Sequence, residues 1–356
     1  MTKTLRQGLT TGSCAAACAK EAVMVLSGQD APKSVKIPMP DGGREEIYIK
    51  RAGIDGARAF AETIKDAGDD PDVTHGTIVR VFAEWADGAD VFFAAGEGVG
   101  VVTKKGLQIP PGEPAINPAP RKMIIDAVRE VSGRGVLITV SIPGGDEIAK
   151  KTFNPRLGVE GGLSVLGTSG RVRPYSHPAI IESLKCALNV AVANGVASPV
   201  FTAGNIGTRS VTGMFDVEKE RVIEVSNEWG VMLDFASSHP LKSLLVAGHP
   251  GKLAKLAEGW WNTHSSKSGN AAPFTAALAE KITGRKLDVI DTVEGVFAQL
   301  SDEDKEKMAD ELAALISKAV SGKLKNGAAV AVALFDMQGN YLGGCGDMSE
   351  WRRKNV

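Results

Sequence analysis

From residue 177 onward the chain repeats one local unit: a short apolar run, a glycine-bearing turn, then a stretch of helical periodicity. This alternation constrains the fold more than any single residue does. Strand, tight turn and helix repeated in series build a parallel sheet flanked by helices. A strand over 198–202 enters Ala203-Gly204-Asn205-Ile206-Gly207, and a strand over 243–247 enters Gly248-His249-Pro250-Gly251. Helices are expected over 177–194, 228–236, 252–260, 273–282, 292–299 and 302–320, with a late apolar strand over 328–335.

The first half has a different rhythm. An Ala-rich helix is expected over 14–26, with Ser13 as its N-cap and Ser27-Gly28 as its stop. Runs over 35–39 and 46–50 flank Pro40-Asp41-Gly42-Gly43, and runs over 77–85 and 90–95 flank Asp87-Gly88, each pattern predicting a hairpin. A helix over 121–131 and a strand over 136–142 follow. Strand pairs with few helices indicate an antiparallel-rich α+β domain, and Gly-Thr-Ser-Gly-Arg-Val-Arg-Pro at 167–174 interrupts both rhythms. The expected architecture is therefore an α+β two-domain chain. An N-terminal antiparallel-rich α+β domain (1–170) precedes a Rossmann-like α/β domain (171–356).

Charge narrows the function classes. The 41 Lys and Arg against 42 Asp and Glu leave a net charge of −1, which argues against a general nucleic-acid or membrane-surface binder. Charged residues interrupt every apolar stretch well before the roughly 20 residues a membrane helix needs, so a cytoplasmic location is expected. Cys14, Cys18, Cys186 and Cys345 lack C-x-x-C spacing and read as free thiols. Cys14, near a helix N-terminus, is a candidate low-pKa thiol, though two small residues packing an Ala-rich helix is the favoured alternative. The histidines at 75, 177, 239, 249 and 264 show no metal-ligand spacing, so no protein-held metal is expected.

Glycine supplies 41 of 356 residues, above the roughly 7% of an average chain. Gly96-Glu97-Gly98-Val99-Gly100 imitates a dinucleotide-binding turn, but no helix follows to receive a ligand, leaving Lys104 and Lys105 available to an anion. Gly248-His249-Pro250-Gly251-Lys252 is not a Walker motif, since two residues separate its glycines and Leu253 follows. It and Gly204-Asn205-Ile206-Gly207 still place backbone amides and a helix N-terminus after a strand, where open α/β sheets take ligands; a plain turn weighs evenly against that reading. Arg121, Arg156, Arg171 and Arg173 lie beside Gly or Pro in loops. Stiffly held guanidinium groups suit carboxylates, and together they point to an anionic substrate between two domains.

Longer segments carry a resemblance. Gly8-Leu9-Thr10-Thr11-Gly12-Ser13-Cys14-Ala15-Ala16-Ala17, Lys65-Asp66-Ala67-Gly68-Asp69-Asp70-Pro71-Asp72-Val73-Thr74, Gly112-Glu113-Pro114-Ala115-Ile116-Asn117-Pro118 and Asn154-Pro155-Arg156-Leu157-Gly158 closely resemble the CbiD family. Gly204-Asn205-Ile206-Gly207, Gly248-His249-Pro250-Gly251-Lys252 and Asn262-Thr263-His264-Ser265 continue it in order, so that it spans about 6–265. The stretch 266–273 departs from the acidic residue and arginine usual in the family at this point.

The resemblance implies a cobalt-precorrin C-1 methyltransferase of anaerobic cobalamin biosynthesis. Such an enzyme uses S-adenosyl-L-methionine as methyl donor and an anionic cobalt-corrinoid precursor as substrate, with cobalt arriving in the substrate. The family lacks the usual methyltransferase glycine fingerprint, so the glycine turns themselves place the donor against Gly204, Asn205, Gly207, Gly248, His249, Gly251 and Lys252. Thr10, Thr11, Ser13, Lys104, Asn117, Arg121, Asn154, Arg156 and His264 would serve the macrocycle. No residue is assigned as catalytic base, and Asp234 or Glu224 is considered for the ribose or amino group. A homo-oligomer, or transient contact with neighbouring pathway enzymes, is compatible with this reading. The competing readings are a non-catalytic tetrapyrrole binder or chaperone and a Cys14-dependent hydrolase or acyltransferase with His264 as base.

Overall fold

Capping chemistry sets the start of the first helix. A computed structural model of the chain describes residues 5–288, 291–352 and 354. The chain divides between His177 and Pro178 into two units. In the first, β1 (Gly8–Leu9) leads into α1 (Thr11–Leu26), whose N-cap is Thr10, three residues earlier than expected. Thr10 Oγ1 accepts from the Ser13 N–H while Ser13 Oγ accepts from the Thr10 N–H, each at 3.1 Å. This reciprocal pair is a capping box, so Ser13 serves at the third helical position instead of as the cap.

The strands β2 (Ser34–Pro38) and β3 (Arg44–Tyr48) form the expected first hairpin, with Ser34 opposite Tyr48. Then come β4 (Arg51–Asp55), β5 (Arg58–Ile64), β6 (Ile78–Ala86), β7 (Val91–Ala95) and β8 (Val101–Val102). They are followed by α2 (Pro118–Arg129), β9 (Gly135–Ser141), α3 (Gly145–Ala149), β10 (Val159–Glu160) and β11 (Arg171–Val172). The main sheet has the order β4-β5-β6-β9-β7. Here the second expected hairpin is corrected. The strands β6 and β7 do not pair with each other; β9 inserts between them, antiparallel to β6 and parallel to β7. Its alternate residues Val136, Ile138 and Val140 are fully buried and gain two neighbours for their backbone groups, which a two-stranded ribbon would leave unpaired. Helix α1 packs on this sheet and α2 packs against α1, with Cys14, Cys18, Met123 and Ile124 in one core.

The second unit begins in α4 (His177–Ala193) and continues through β12 (Val200–Thr202), α5 (Asn205–Met214), β13 (Val222–Glu224), α6 (Trp229–Ala236), β14 (Ser243–Gly248) and α7 (Pro250–Ala257). It ends with α8 (Ala272–Thr283), α9 (Val293–Ala298), α10 (Asp302–Lys323), β15 (Ala329–Phe335) and β16 (Tyr341–Cys345). The sheet order is β13-β12-β14-β15-β16, parallel except for the last strand. Its central strands are apolar on both faces. Phe201, Leu244, Val246 and Val332 join one core with α6, α7 and α10, while Val200, Leu245 and Ala333 join a second with Val211 of α5, Phe215 and Trp351. A strand buried on both sides reads as a continuous apolar run, which is why 243–247 was legible.

Candidate functional site

In the second unit the two glycine turns become neighbours. The strands β12 and β14 are adjacent and parallel, with Thr202 opposite Ala247, so Ala203-Gly204 and Gly248-His249 emerge side by side at the carboxyl edge. The chain moves outward to β13 on one side of β12 and to β14 on the other. That reversal is the switch point at which open α/β sheets have a crevice for ligands.

Each turn is held by specific contacts. Gly204, at φ 142°, is the N-cap residue of α5, and no atom lies within 4 Å of where a Cβ would sit. A side chain is therefore excluded by backbone conformation, leaving bare backbone open to the edge. Gly207 is different: a Cβ there would lie 3.0 Å from the Ala247 carbonyl oxygen, so this glycine lets α5 approach β14. Asn205 is exposed. His249 caps α7, its Nδ1 accepting from the Gly251 N–H at 3.0 Å. Burial pushes the His249 pKa down, against the nearby carboxylates of Glu294 and Asp336, which favours a neutral ring with its proton on Nε2. The Lys252 Nζ donates to the Ala203 carbonyl at 3.3 Å and ties the two turns together.

A polar chain runs along the same edge. Thr202 Oγ1 and Thr208 Oγ1 are 2.9 Å apart, and Thr208 Oγ1 donates to Glu224 Oε1 at 3.1 Å. Glu224 closes β13, the neighbour of β12 on the side away from β14, and its carboxylate joins the edge through Thr208. Asp234 instead sits on α6, paired with Lys323 at 2.6 Å.

Beyond His249 lies a cavity of about 330 Å³ whose lining includes Gly251, Lys255, Ser268, Asn270 and Thr292. One wall is the loop that carries His264. Thr263 Oγ1 donates to Asn227 at 3.1 Å, Asn262 donates to Glu228 at 3.1 Å, and Lys255 donates to Thr263 O and Ser268 Oγ. His264 itself is exposed, and its Nδ1 engages Ser266 at 2.8 Å.

In the first unit the candidate residues separate into groups. Thr10, Thr11 and Asn154 line one cavity of about 230 Å³, together with Lys65, Asp72 and Thr74. Thr11 Oγ1 accepts from the Leu166 N–H at 2.9 Å, and Ser13 Oγ, fully buried, reaches Gly170 O at 2.7 Å. The hydroxyl cluster thus pins residues 166–170 to the start of α1. Lys104 packs along Gly158, and the Thr103 N–H donates to Gly158 O at 2.7 Å, which sets Lys104 beside the turn that bears Asn154 and Arg156. The Asn117 N–H donates to Val165 O at 3.1 Å. Arg121 lies apart from the cavity lining. It donates to Ile116 O at 2.8 Å and to Glu113 and Pro114 O at 3.2 Å, and stacks over Phe93. Its guanidinium is a clamp on the 113–116 loop.

The residues missed from sequence are Lys65 and Asp72. Lys65 is 1% exposed and donates to Asp72 Oδ2 at 2.7 Å, while Asp72 Oδ1 accepts from Thr74 Oγ1 at 2.6 Å. Burial pushes the Asp72 carboxyl up, but the hydrogen bonds from Lys65 and Thr74 outweigh it and hold it below its usual range. Both residues lie in the 65–74 segment quoted above; a charged run reads as exposed loop, so nothing marked Lys65 as buried. The low-pKa candidate reading of Cys14 fails and the favoured reading, packing of an Ala-rich helix, holds. Cys14 is fully buried and burial pushes its thiol up to about 12, because no solvent stabilises a thiolate there.

Among the described residues no helix is long and apolar enough to cross a membrane. The second unit is an α/β unit with a mostly parallel sheet and paired glycine turns at its switch point, and the first is an α+β unit. The family follows from comparison. The CbiD family pattern matches residues 1–174, and the pattern of the CbiD C-terminal domain matches 262–346. The cobalt-precorrin-5B C(1)-methyltransferase of Syntrophotalea carbinolica is 48% identical over 348 residues, covering 98% of this chain and 99% of that protein. Its namesake from Methanocaldococcus jannaschii is 40% identical, covering 94% and 95%. A crystal structure of the cobalamin biosynthesis protein CbiD of Archaeoglobus fulgidus is 30% identical, covering 69% of this chain and 78% of that one, with a TM-score of 0.38. The chain belongs to the CbiD family.

Proposed function

We propose that this chain is an S-adenosylmethionine-dependent methyltransferase that methylates ring carbon C-1 of cobalt-precorrin-5B, giving cobalt-precorrin-6A and S-adenosylhomocysteine in cobalamin biosynthesis. The observation that carries this is the 48% identity, over almost the whole of both chains, to a relative bearing that name. The reaction moves one methyl group. The ring carbon supplies the electron pair of the new C–C bond, and the pair of the breaking S–CH₃ bond stays on sulfur as a neutral thioether. Alignment and electrostatics account for such a step without a covalent enzyme intermediate.

The Rossmann-like reading of the second unit supports the donor's place there. Glu224, at the end of β13, suits the paired hydroxyls of a ribose. The bare backbone at Gly204 accepts close approach of a ligand, and the uncharged ring of His249 adds no repulsion to a sulfonium cation. Gly207 is a packing residue in this account, and Lys252 orders the two turns. The first unit takes the anionic macrocycle, with Thr10, Thr11, Asn154 and the loops bearing Lys104, Asn117 and Arg156 as its polar groups. A cytoplasmic location fits a biosynthetic enzyme of this kind.

Calorimetry with S-adenosylhomocysteine tests the assignment. Micromolar or tighter binding, in the absence or presence of macrocycle, is the expected result. A folded chain that binds a corrinoid but never S-adenosylhomocysteine would instead be a tetrapyrrole carrier.

A further inference from the structure

The Lys65 ammonium carries three N–H donors. One goes to Asp72 Oδ2 at 2.7 Å, and among the described residues no other protein acceptor lies within hydrogen-bond distance of Nζ. The side chain is 1% exposed and lines the 230 Å³ cavity of the first unit. Asp72 is committed elsewhere: Oδ1 takes the Thr74 hydroxyl at 2.6 Å and the Thr74 N–H at 2.8 Å. The remaining polar side chains of the lining are neutral: Thr10, Thr11, Thr74, Thr152, Asn154 and Ser164.

A buried charged donor with unused N–H groups is costly unless water or a ligand completes it, and an anionic oxygen completes it with charge-assisted hydrogen bonds, which are stronger than those to water. The volume limits what can enter. At roughly 30 Å³ per water molecule its 230 Å³ holds about eight such volumes, and it falls short of the roughly 300 Å³ at which whole-ligand pockets begin. It accommodates a substituent arm of a ligand and not a whole macrocycle. Val73, 50% exposed, brings the lining to the surface and marks the mouth.

We infer that this cavity is a carboxylate subsite, in which an aliphatic carboxylate arm of the ligand enters past Val73 and is bound by the two remaining N–H donors of Lys65. The inference rests on the proposed function and deepens it, since a corrinoid precursor is fringed with acetate and propionate arms. The methionine carboxylate of the methyl donor is the other source of the same chemistry.

The test uses the full chain, with cobyrinic acid, a corrin whose side chains are free carboxylates, its heptamethyl ester, and S-adenosylhomocysteine as probes. Cobyrinic acid binding is read by absorbance titration and S-adenosylhomocysteine binding by calorimetry. Lys65→Met should weaken cobyrinic acid about tenfold to a hundredfold, leaving the weaker binding of the ester and the binding of S-adenosylhomocysteine unchanged. A loss confined to S-adenosylhomocysteine would assign the subsite to the donor's carboxylate. Should Lys65→Met fail to fold, Val73→Trp at the exposed mouth blocks the same arm without touching the buried pair and should give the same loss. Wild-type affinity for both acids in either folded variant overturns the subsite and assigns the Lys65 donors to solvent. A wild-type chain that binds neither probe would overturn the proposed function, and the subsite with it.

Discussion

Glu21 provides a quantitative test of the first unit's core. It lies in α1 with no exposed surface, and neither carboxylate oxygen has a hydrogen-bond partner among the described residues. Burial pushes its pKa from 4.5 up to about 7, because the ionised form loses hydration that nothing replaces. Below about pH 4.5 the carboxyl is protonated in both folded and unfolded chains and contributes no difference. As pH rises from there to about 7 the unfolded chain releases the proton first, so stability falls, and above about 7 the penalty is constant. At about 1.4 kcal/mol per pH unit the full penalty is about 3 kcal/mol. For a unit of this size that corresponds to about 6–12 °C in melting temperature.

Glu21→Met removes the charge while keeping an apolar side chain of similar length. Calorimetric unfolding of both proteins from pH 5 to pH 8.5 should show the variant gaining on the wild type as pH rises, with most of the gain complete by about pH 7.5. Other groups titrate in both proteins and cancel in the difference. Parallel profiles, or a variant less stable at pH 8.5, would refute the reasoning and require an unrecognised partner for Glu21.

Three further outcomes are expected. Thr10→Ala removes the side-chain acceptor of the capping box and should cost about 1 kcal/mol, read by denaturant unfolding, whereas an unchanged midpoint would mean that the hydroxyl network is dispensable. Cys14→Ala should retain methyl transfer within a few-fold, since the thiol is sealed in the core; a thousandfold loss would revive the nucleophile reading. Glu224→Gln should weaken S-adenosylhomocysteine about tenfold while leaving a 3′-deoxy analogue less affected, and equal losses for both would separate Glu224 from the ribose.

The sequence revealed local order far better than adjacency. The core helices and the strands β12, β14 and β15 carry apolar runs or periodicities that survive without context. The strands β4 and β5 carry few large apolar residues and no sustained apolar alternation, as in Arg51-Ala52-Gly53-Ile54-Asp55, and were unreadable as strands until seen paired. The hairpin expected at Asp87-Gly88 failed because strand order is a tertiary property: β9 arrives from some forty residues away with a more apolar pattern and takes the position between β6 and β7. Thr10 and Ser13 both carry cap-forming hydroxyls, so only geometry distinguishes the cap from its partner.

The candidate sites divide in the same way. Glycine turns after strands were visible as turns, but that they stand side by side depends on β12 pairing with β14. Arg121 carried the signature of a loop-held guanidinium, yet its Nε and Nη2 donate within the chain, to Ile116, Pro114 and Glu113. Lys65 is the converse case, since no sequence pattern distinguishes a buried lysine from an exposed one in a run of aspartates.

Methyl transfer to a corrinoid can be followed on the protein itself. The purified chain is incubated with cobalt-precorrin-5B and methyl-labelled S-adenosylmethionine, and the macrocycle is analysed by mass spectrometry and NMR. One labelled methyl group on C-1 and a stoichiometric yield of S-adenosylhomocysteine are expected. A folded chain that binds both compounds yet leaves the macrocycle unlabelled, or labels another carbon, would contradict it.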